Sequence, residues 1–210
     1  MEDIRFYKIN DEYGDFSNFA PFSIFLEGNS WPTVEHYFQS CKFEDPAIKE
    51  KIKSFSSPMK AAKEGRNRKN TLRADWEIVK DNIMLRSLRV KFKQHPNLRK
   101  KLLLTDNVKI IEHTKNDSYW GDGGNGNGKN MLGSLLMKVR DELRIINNDP
   151  NIVLPPWIAF PEIDQHDMFW RMGLGENYIS TWSRYYLSME NKSDYHKTFP
   201  EPENWKDFFE

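Results

Sequence analysis

Apolar residues recur along most of the chain at the three-to-five-residue steps of helices, and alternating stretches are few and short. Ile4 to Ile9 and Phe22 to Glu27 read as extended pieces, punctuated by Gly14, Pro21 and the pair Gly28-Asn29, which predicts a small sheet near the start. Helices then dominate. Pro32 and Thr33 open one reaching to about Glu44, and Ser57-Pro58 has the form of an N-cap and first-turn proline for another ending near Gly65. The longest begins near Ala74, where Trp76, Val79, Ile83, Leu88 and Phe92 recur until His95-Pro96 stops it. Leu98 to Leu104 reads as a further short helix and Val108 to His113 as a β-branched strand, while Leu132, Leu135, Leu136, Val139, Leu143 and Ile146 line one face of a last amphipathic helix. The expected fold class is α+β, a mostly helical domain with a small sheet.

The pattern breaks at Asn147. NNDPNIVLPPW combines turn formers with adjacent prolines and reads as a connector, so the chain divides into 1-146 and a C-terminal extension over 147-210. Four of the seven tryptophans, Trp157, Trp170, Trp182 and Trp205, lie in the extension. Disordered tails are poor in aromatic residues, and about 60 residues make a marginal core alone. An aromatic-rich extension packed on the first domain is therefore expected.

Composition narrows the class without choosing a function. Of the 210 residues, 38% are hydrophobic and 30% charged, and no run of about 18 apolar residues exists to span a bilayer. The start, MEDIRFYKIN, has neither a basic nor an apolar leader region, so a cytoplasmic location with no membrane association is expected. Cys41 is the only cysteine, which excludes a disulfide framework or cysteine-rich zinc site within this chain. The five histidines show no paired ligand spacing, and no metal or redox cofactor is expected. Net charge is zero, yet 18 basic residues face 7 acidic ones between Lys42 and Lys101. Such a bias suits phosphorylated ligands or nucleic acid, and equally suits solvated lysine-rich helix faces.

Two segments carry candidate chemistry. In YWGDGGNGNGKNMLG, Tyr119 to Gly133, the run GGNGNGKN misses a phosphate-loop signature only at Asn130, where that motif needs a magnesium-binding hydroxyl. A buried strand should lead directly into such a loop, but the polar run TKNDSYWGD intervenes, so a nucleotide triphosphatase is disfavoured. The glycines still permit positive φ and close approach of amides to a ligand, and glycine content alone equally describes a flexible surface loop. Trp120 and Asp122 beside it suggest a platform for a sugar or base. The second segment is WPTVEHYFQSCKF, Trp31 to Phe43, whose helix places Glu35, Gln39 and Lys42 on one face and Val34, Tyr37 and Cys41 on another. The first face could also be an ordinary solvated stripe. Glu35 falls in the first turn, where the helix dipole favours an ionised carboxylate, and His36 reads as a packed or capping residue.

Taken together, FYKINDEYGDFSNFAPF, WPTVEHYFQSCKF, SSPMKAAKEGRNRK, LRADWEIVKDNIMLRSLRVKFKQH and EHTKNDSYWGDGGNGNGKNMLGSLLMKVRDEL resemble the NADAR family, the YbiA-like N-glycosidases, over about residues 5 to 146. The resemblance implies an α+β, largely helical domain that hydrolyses N-glycosidic bonds of ribosylated nitrogen compounds. Two substrate classes go with it: phosphoribosylamino-pyrimidine intermediates of riboflavin synthesis, and ADP-ribose linked to guanine bases, with nucleic acid entering only as modified substrate. A non-catalytic ADP-ribose-binding module is a third possibility. The family's functional positions fall on Glu35, Trp76, Trp120 and Asp122, with Ser17 and Asn18 of FSNF as substrate contacts. Cleaving a C1′–N bond builds positive charge on the ribose, which a carboxylate near C1′ stabilises. Glu35 is expected in that role. Asp122 is the expected second carboxylate, for ribose hydroxyls or the leaving-group proton, and Trp76 belongs either to the core or to the substrate wall. Lys42, Arg66 and the amides of Gly123 and Gly124 are expected to anchor a 5′-phosphate.

Overall fold

The computed structural model describes residues 2–149, 151–206 and 208. Strand β1, Ile4–Phe6, leads through a 3₁₀ turn at Gly14–Phe16 to β2, Ile24–Leu26, and β3, Asn29–Trp31. β2 and β3 form an antiparallel hairpin pairing Leu26 with Asn29. Its two-residue turn holds Glu27 and Gly28 at φ 53° and 71°, the positive values demanded by a tight turn between twisted strands. Helix α1 follows as Val34–Ser40, four residues short of the expected end. Its last residues tighten into turns, with Lys42 N–H donating to Gln39 and Phe43 N–H to Ser40, which seats Phe43 in the interior.

Helix α2, Pro46–Lys53, is absent from the sequence expectation although its signals are strong: Asp45 accepts from the Ala47 amide, and Pro46 sits in the first turn. Its few apolar residues hid the period, since only Ile52 is buried. Helix α3, Pro58–Gly65, starts at the Ser57 cap as expected. Helix α4, Trp76–Gln94, departs from a one-sided stripe. Its second half is buried nearly all round, Ser87, Arg89 and Lys91 included, because other elements enclose it. Helix α5, Pro96–Leu103, precedes β4, Ile110–Glu112, which pairs in parallel with β1 in the register Ile4 with Ile110 and Phe6 with Glu112. The two expected extended segments thus belong to separate two-stranded sheets. The fold class is the α+β, mostly helical one expected. Phe16 joins Phe6 and Phe92 in edge-to-face contacts at 6.1 and 6.0 Å, tying the start of the chain to α4.

Helix α6, Met131–Asn148, buries Leu132, Leu135, Leu136 and Val139. The chain divides within it into two compact units, Met1–Arg140 and Asp141–Glu210. The second holds α7, Pro156–Ala159, α8, Gly173–Leu187, and α9, Ser193–Thr198. It closes on its own aromatic cluster of Trp157, Trp182, Tyr186, Tyr195, Phe199 and Trp205. Trp182 donates to the Tyr195 hydroxyl at 2.8 Å and that hydroxyl donates to the Val153 carbonyl at 2.7 Å, so the polar tips of these rings are satisfied inside the cluster. No helix among the described residues is long and apolar enough to cross a membrane.

Candidate active site

Thr33 caps α1, and the amide of Glu35 donates to the Asn18 carbonyl at 3.1 Å, fixing Glu35 beside the FSNF turn. Every residue of α1 is buried, so its polar face is no solvated stripe. Glu35 is 6% exposed, and its carboxyl accepts from Gln39 Nε2 at 2.7 Å. Removal from water pushes its pKa up from 4.5 to about 7, against the opposing pull of the Gln39 hydrogen bond and the charges of Lys42 and Arg66. The helix-dipole expectation of a readily ionised carboxylate is thereby reversed: a first-turn dipole contributes less than full desolvation costs. His36 packs as expected, with Nδ1 2.8 Å from Thr33 Oγ1 and Nε2 3.0 Å from the Phe55 carbonyl.

Behind Glu35, Gly65 is where α3 touches α1: a Cβ there would stand 1.8 Å from Gln39 Oε1. Lys42 reaches the Gly65 carbonyl at 3.5 Å, and its ammonium lies over the Trp76 and Phe38 rings at 5.5 and 5.8 Å. Burial lowers the Lys42 pKa, partly offset by Glu35. Arg66 follows as an exposed residue. Phe38 links the two tryptophans, with ring centroids 5.0 Å from Trp76 and 5.2 Å from Trp120. Trp76 is buried and Trp120 half-buried, so Trp76 fills both of its expected places, core residue and neighbour of the candidate site.

Ser17 and Asn18 are also buried. The Ser17 hydroxyl accepts from the Phe19 amide at 3.2 Å, whereas Asn18 Oδ1 has no partner within the chain and remains a free acceptor. Beneath them the fully buried Lys91 donates to the carbonyls of Asp15 and Ser17 at 2.6 and 2.9 Å.

The glycine-rich loop is organised around Asp122. This carboxylate accepts from the Gly124 amide at 2.8 Å and the Thr114 amide at 3.2 Å, and lies 2.7 Å from His113 Nδ1. Burial favours its neutral form, but the His113 contact and the two amides outweigh it and hold the pKa below the ordinary value. Asp122 is thus kept ionised and well supplied with donors, which removes the expected option of a leaving-group proton. The phosphate-anchor expectation for Gly123 and Gly124 changes too. Gly123 N–H donates to the Asp117 carbonyl at 3.1 Å and Gly124 N–H to Asp122, so both amides are spent inside the loop. Asn130 straps the loop to β4: its Oδ1 accepts from the Glu112 amide at 3.0 Å and its Nδ2 donates to the Ile110 carbonyl at 2.8 Å.

Sequence reasoning passed over Glu112 and Asp117. Glu112 ends β4 one residue before His113, and its pKa rises from 4.5 to about 7 through burial and then through the negative charges of Asp117, Glu35 and Asp122. Asp117 accepts from the amides of Tyr119 and Trp120, both at 2.8 Å, and so orients the Trp120 backbone. The signal was present in the spacing of EHTKND against YWGD, but a short strand gives no periodicity to say which of its residues face the loop. Among the described residues no group of three or more His, Cys, Asp or Glu is disposed to hold a metal ion.

The description NADAR domain belongs to the family model that matches residues 5–144. An N-glycosidase YbiA of Shigella flexneri is 57% identical over 142 residues, 68% of this chain and 89% of that protein. A riboflavin biosynthesis protein of Vibrio vulnificus, VVA0006, is 38% identical over 141 residues, 67% of this chain and 38% of that protein. The solution NMR structure of the E. coli protein YbiA superposes with a TM-score of 0.66 at 52% identity, over 71% of this chain and 90% of that one.

Proposed function

The chain belongs to the NADAR family and is an N-glycosidase, and from that premise we propose that it hydrolyses the C1′–N bond of ribosylamino-pyrimidine 5′-phosphates of riboflavin synthesis, releasing ribose 5-phosphate. The observation that carries this reading is the setting of Glu35: a carboxyl withdrawn from water, held by Gln39, with the charges of Lys42 and Arg66 acting on it. Once ionised, it can stabilise positive charge at C1′ and take a proton from the attacking water. Lys42 and Arg66 supply charge for the 5′-phosphate. Trp76 and Trp120, tied through Phe38, wall the sugar or base, and the free Asn18 Oδ1 suits a ribose hydroxyl. Asp122 serves by holding the loop and Trp120 in place. The partial match to a riboflavin biosynthesis protein supports the choice of substrate.

A second reading, removal of ADP-ribose from guanine, is favoured by one feature: the charges of both Arg66 and Arg68 act on Lys42, a cationic group large enough for a diphosphate. Chromatographic turnover of both substrate types side by side tests the proposal. Release of ribose 5-phosphate from a ribosylaminopyrimidine is expected. Folded protein that cleaves neither riboflavin-pathway intermediate removes the reading, and cleavage of ADP-ribosyl guanosine alone replaces it with the second.

A further inference from the structure

We propose that Glu112 is the residue that delivers the proton to the departing nitrogen, a role that rests on the glycosidase reading above. The backbone of Glu112 is fixed on both sides, its amide by Asn130 Oδ1 at 3.0 Å and its carbonyl by the Asp122 amide at 2.9 Å. Packing is equally close there, since a Cβ on Gly121 would stand 2.8 Å from the Glu112 carbonyl oxygen. The side chain is therefore carried to a set place beside the His113–Asp122 pair. Its carboxyl has no hydrogen-bond or salt-bridge partner in the chain, although it is largely withdrawn from water. An ionised carboxylate in that condition is costly; a protonated one, facing a ligand atom that can accept, is not.

The surrounding charges assign the proton between the two carboxyls. Glu35 is flanked by a hydrogen-bond donor and by cations, Gln39, Lys42 and Arg66, all favouring its ionised form. The charges bearing on Glu112 are those of Asp117, Glu35 and Asp122, all negative and all favouring its neutral form. Asp122, with three groups around its ionised carboxylate, holds no proton to give. Paired carboxyls in which one keeps and one loses its proton are what hydrolysis of a glycosidic bond needs. The C1′–N electron pair goes to nitrogen as Glu112 transfers its proton there. Water adds to C1′ and gives a proton to Glu35, and exchange with solvent returns both groups to their starting forms. The products are the free amine and ribose 5-phosphate.

Two measurements test this separately from substrate identity. In Glu112→Gln, kcat should fall about 100-fold, in the range general acid catalysis supplies, with KM little changed and the basic limb of the pH profile lost. Asp122→Asn should retain that limb and lower Tm. The comparison is made on whichever N-ribosyl substrate the wild type cleaves, so failure of the riboflavin-type substrate alone counts against that reading and not against Glu112. A kcat unaltered in Glu112→Gln, or a basic limb that persists, overturns the assignment. Carboxyl carbon NMR of the wild type, assigned with Glu112→Gln, needs no substrate: a Glu112 carboxyl ionised throughout from weakly acidic to weakly alkaline pH also overturns it.

Discussion

Gln39 donates to Glu35 across one turn of α1 at 2.7 Å, and its other amide atom, Oε1, occupies the place a side chain on Gly65 would take. Glycine at the end of α3 thus makes room for the group that orients the candidate catalytic carboxyl. Gly65→Ala gains about 1 kcal/mol of helix propensity but drives Gln39 aside. Since the Gln39 hydrogen bond favours the ionised form, losing it raises the Glu35 pKa further, and the acidic limb of the kcat/KM profile should move up by roughly one unit. Gln39→Leu should reproduce the displacement. A limb that stays in place in both variants rules out Gln39 as the group that sets it.

Burial of Glu35 also makes a stability prediction whose sign is fixed. A folded pKa near 7 against an ordinary 4.5 means that the native state binds the proton more tightly than the unfolded chain. Stability from this group is fully present below about 4.5 and is lost as pH rises through about 7. Glu35→Gln has nothing to ionise, so it should be more stable than the wild type at pH 8, by at most about 3 kcal/mol for a shift of this size, and equal to it near pH 4. Urea unfolding at the two pH values measures the difference; equal gaps at both would contradict it.

Lys91 links stability to the same site by another route. Its ammonium, fully buried, ties down the carbonyls of Asp15 and Ser17, and the next carbonyl, Asn18, receives the Glu35 amide. Lys91→Met leaves two carbonyls unmet while relieving a desolvated charge, a net loss of about 2 kcal/mol. The local effect is the sharper test. Hydrogen exchange at the Glu35 amide should accelerate, whereas amides in the aromatic unit Asp141–Glu210 keep their wild-type rates. An unchanged Glu35 amide would show that the turn does not depend on this lysine.

What the sequence disclosed follows from how each feature is encoded. Caps and apolar periods are local, so Ser57-Pro58 and the stripe Leu132 to Val139 marked α3 and α6 correctly. The parallel pairing of Ile4 with Ile110 joins segments about a hundred residues apart and leaves no local trace. Electrostatics were the least legible. Glu35 at a helix start reads as ionised until the rest of α1 is seen to be buried. Glycines that read as a phosphate cradle donate their amides to Asp117 and Asp122. Glu112 matters through neighbours on three other segments, which no spacing rule reveals.

Asn130 puts the phosphate-loop resemblance to a direct test, because Asn130→Thr completes the motif G-x-x-x-x-G-K-T. Asparagine tolerates the φ of 50° found there, while β-branched threonine does not. Threonine is also too short to bond both the Glu112 amide and the Ile110 carbonyl, the two ties by which Asn130 holds the loop on β4. Backbone strain and two unmet polar groups together cost about 3 kcal/mol, or a Tm lower by about 6–12 °C. Asn130→Asp keeps the acceptor and loses only the donor, so it should fall between. Magnesium-dependent ATP hydrolysis should appear in neither variant, because the loop amides that would cradle phosphates are already bonded within the loop. ATP turnover gained by Asn130→Thr, with Tm held, would mean that the asparagine occupies a vacated magnesium position and that the strap is incidental.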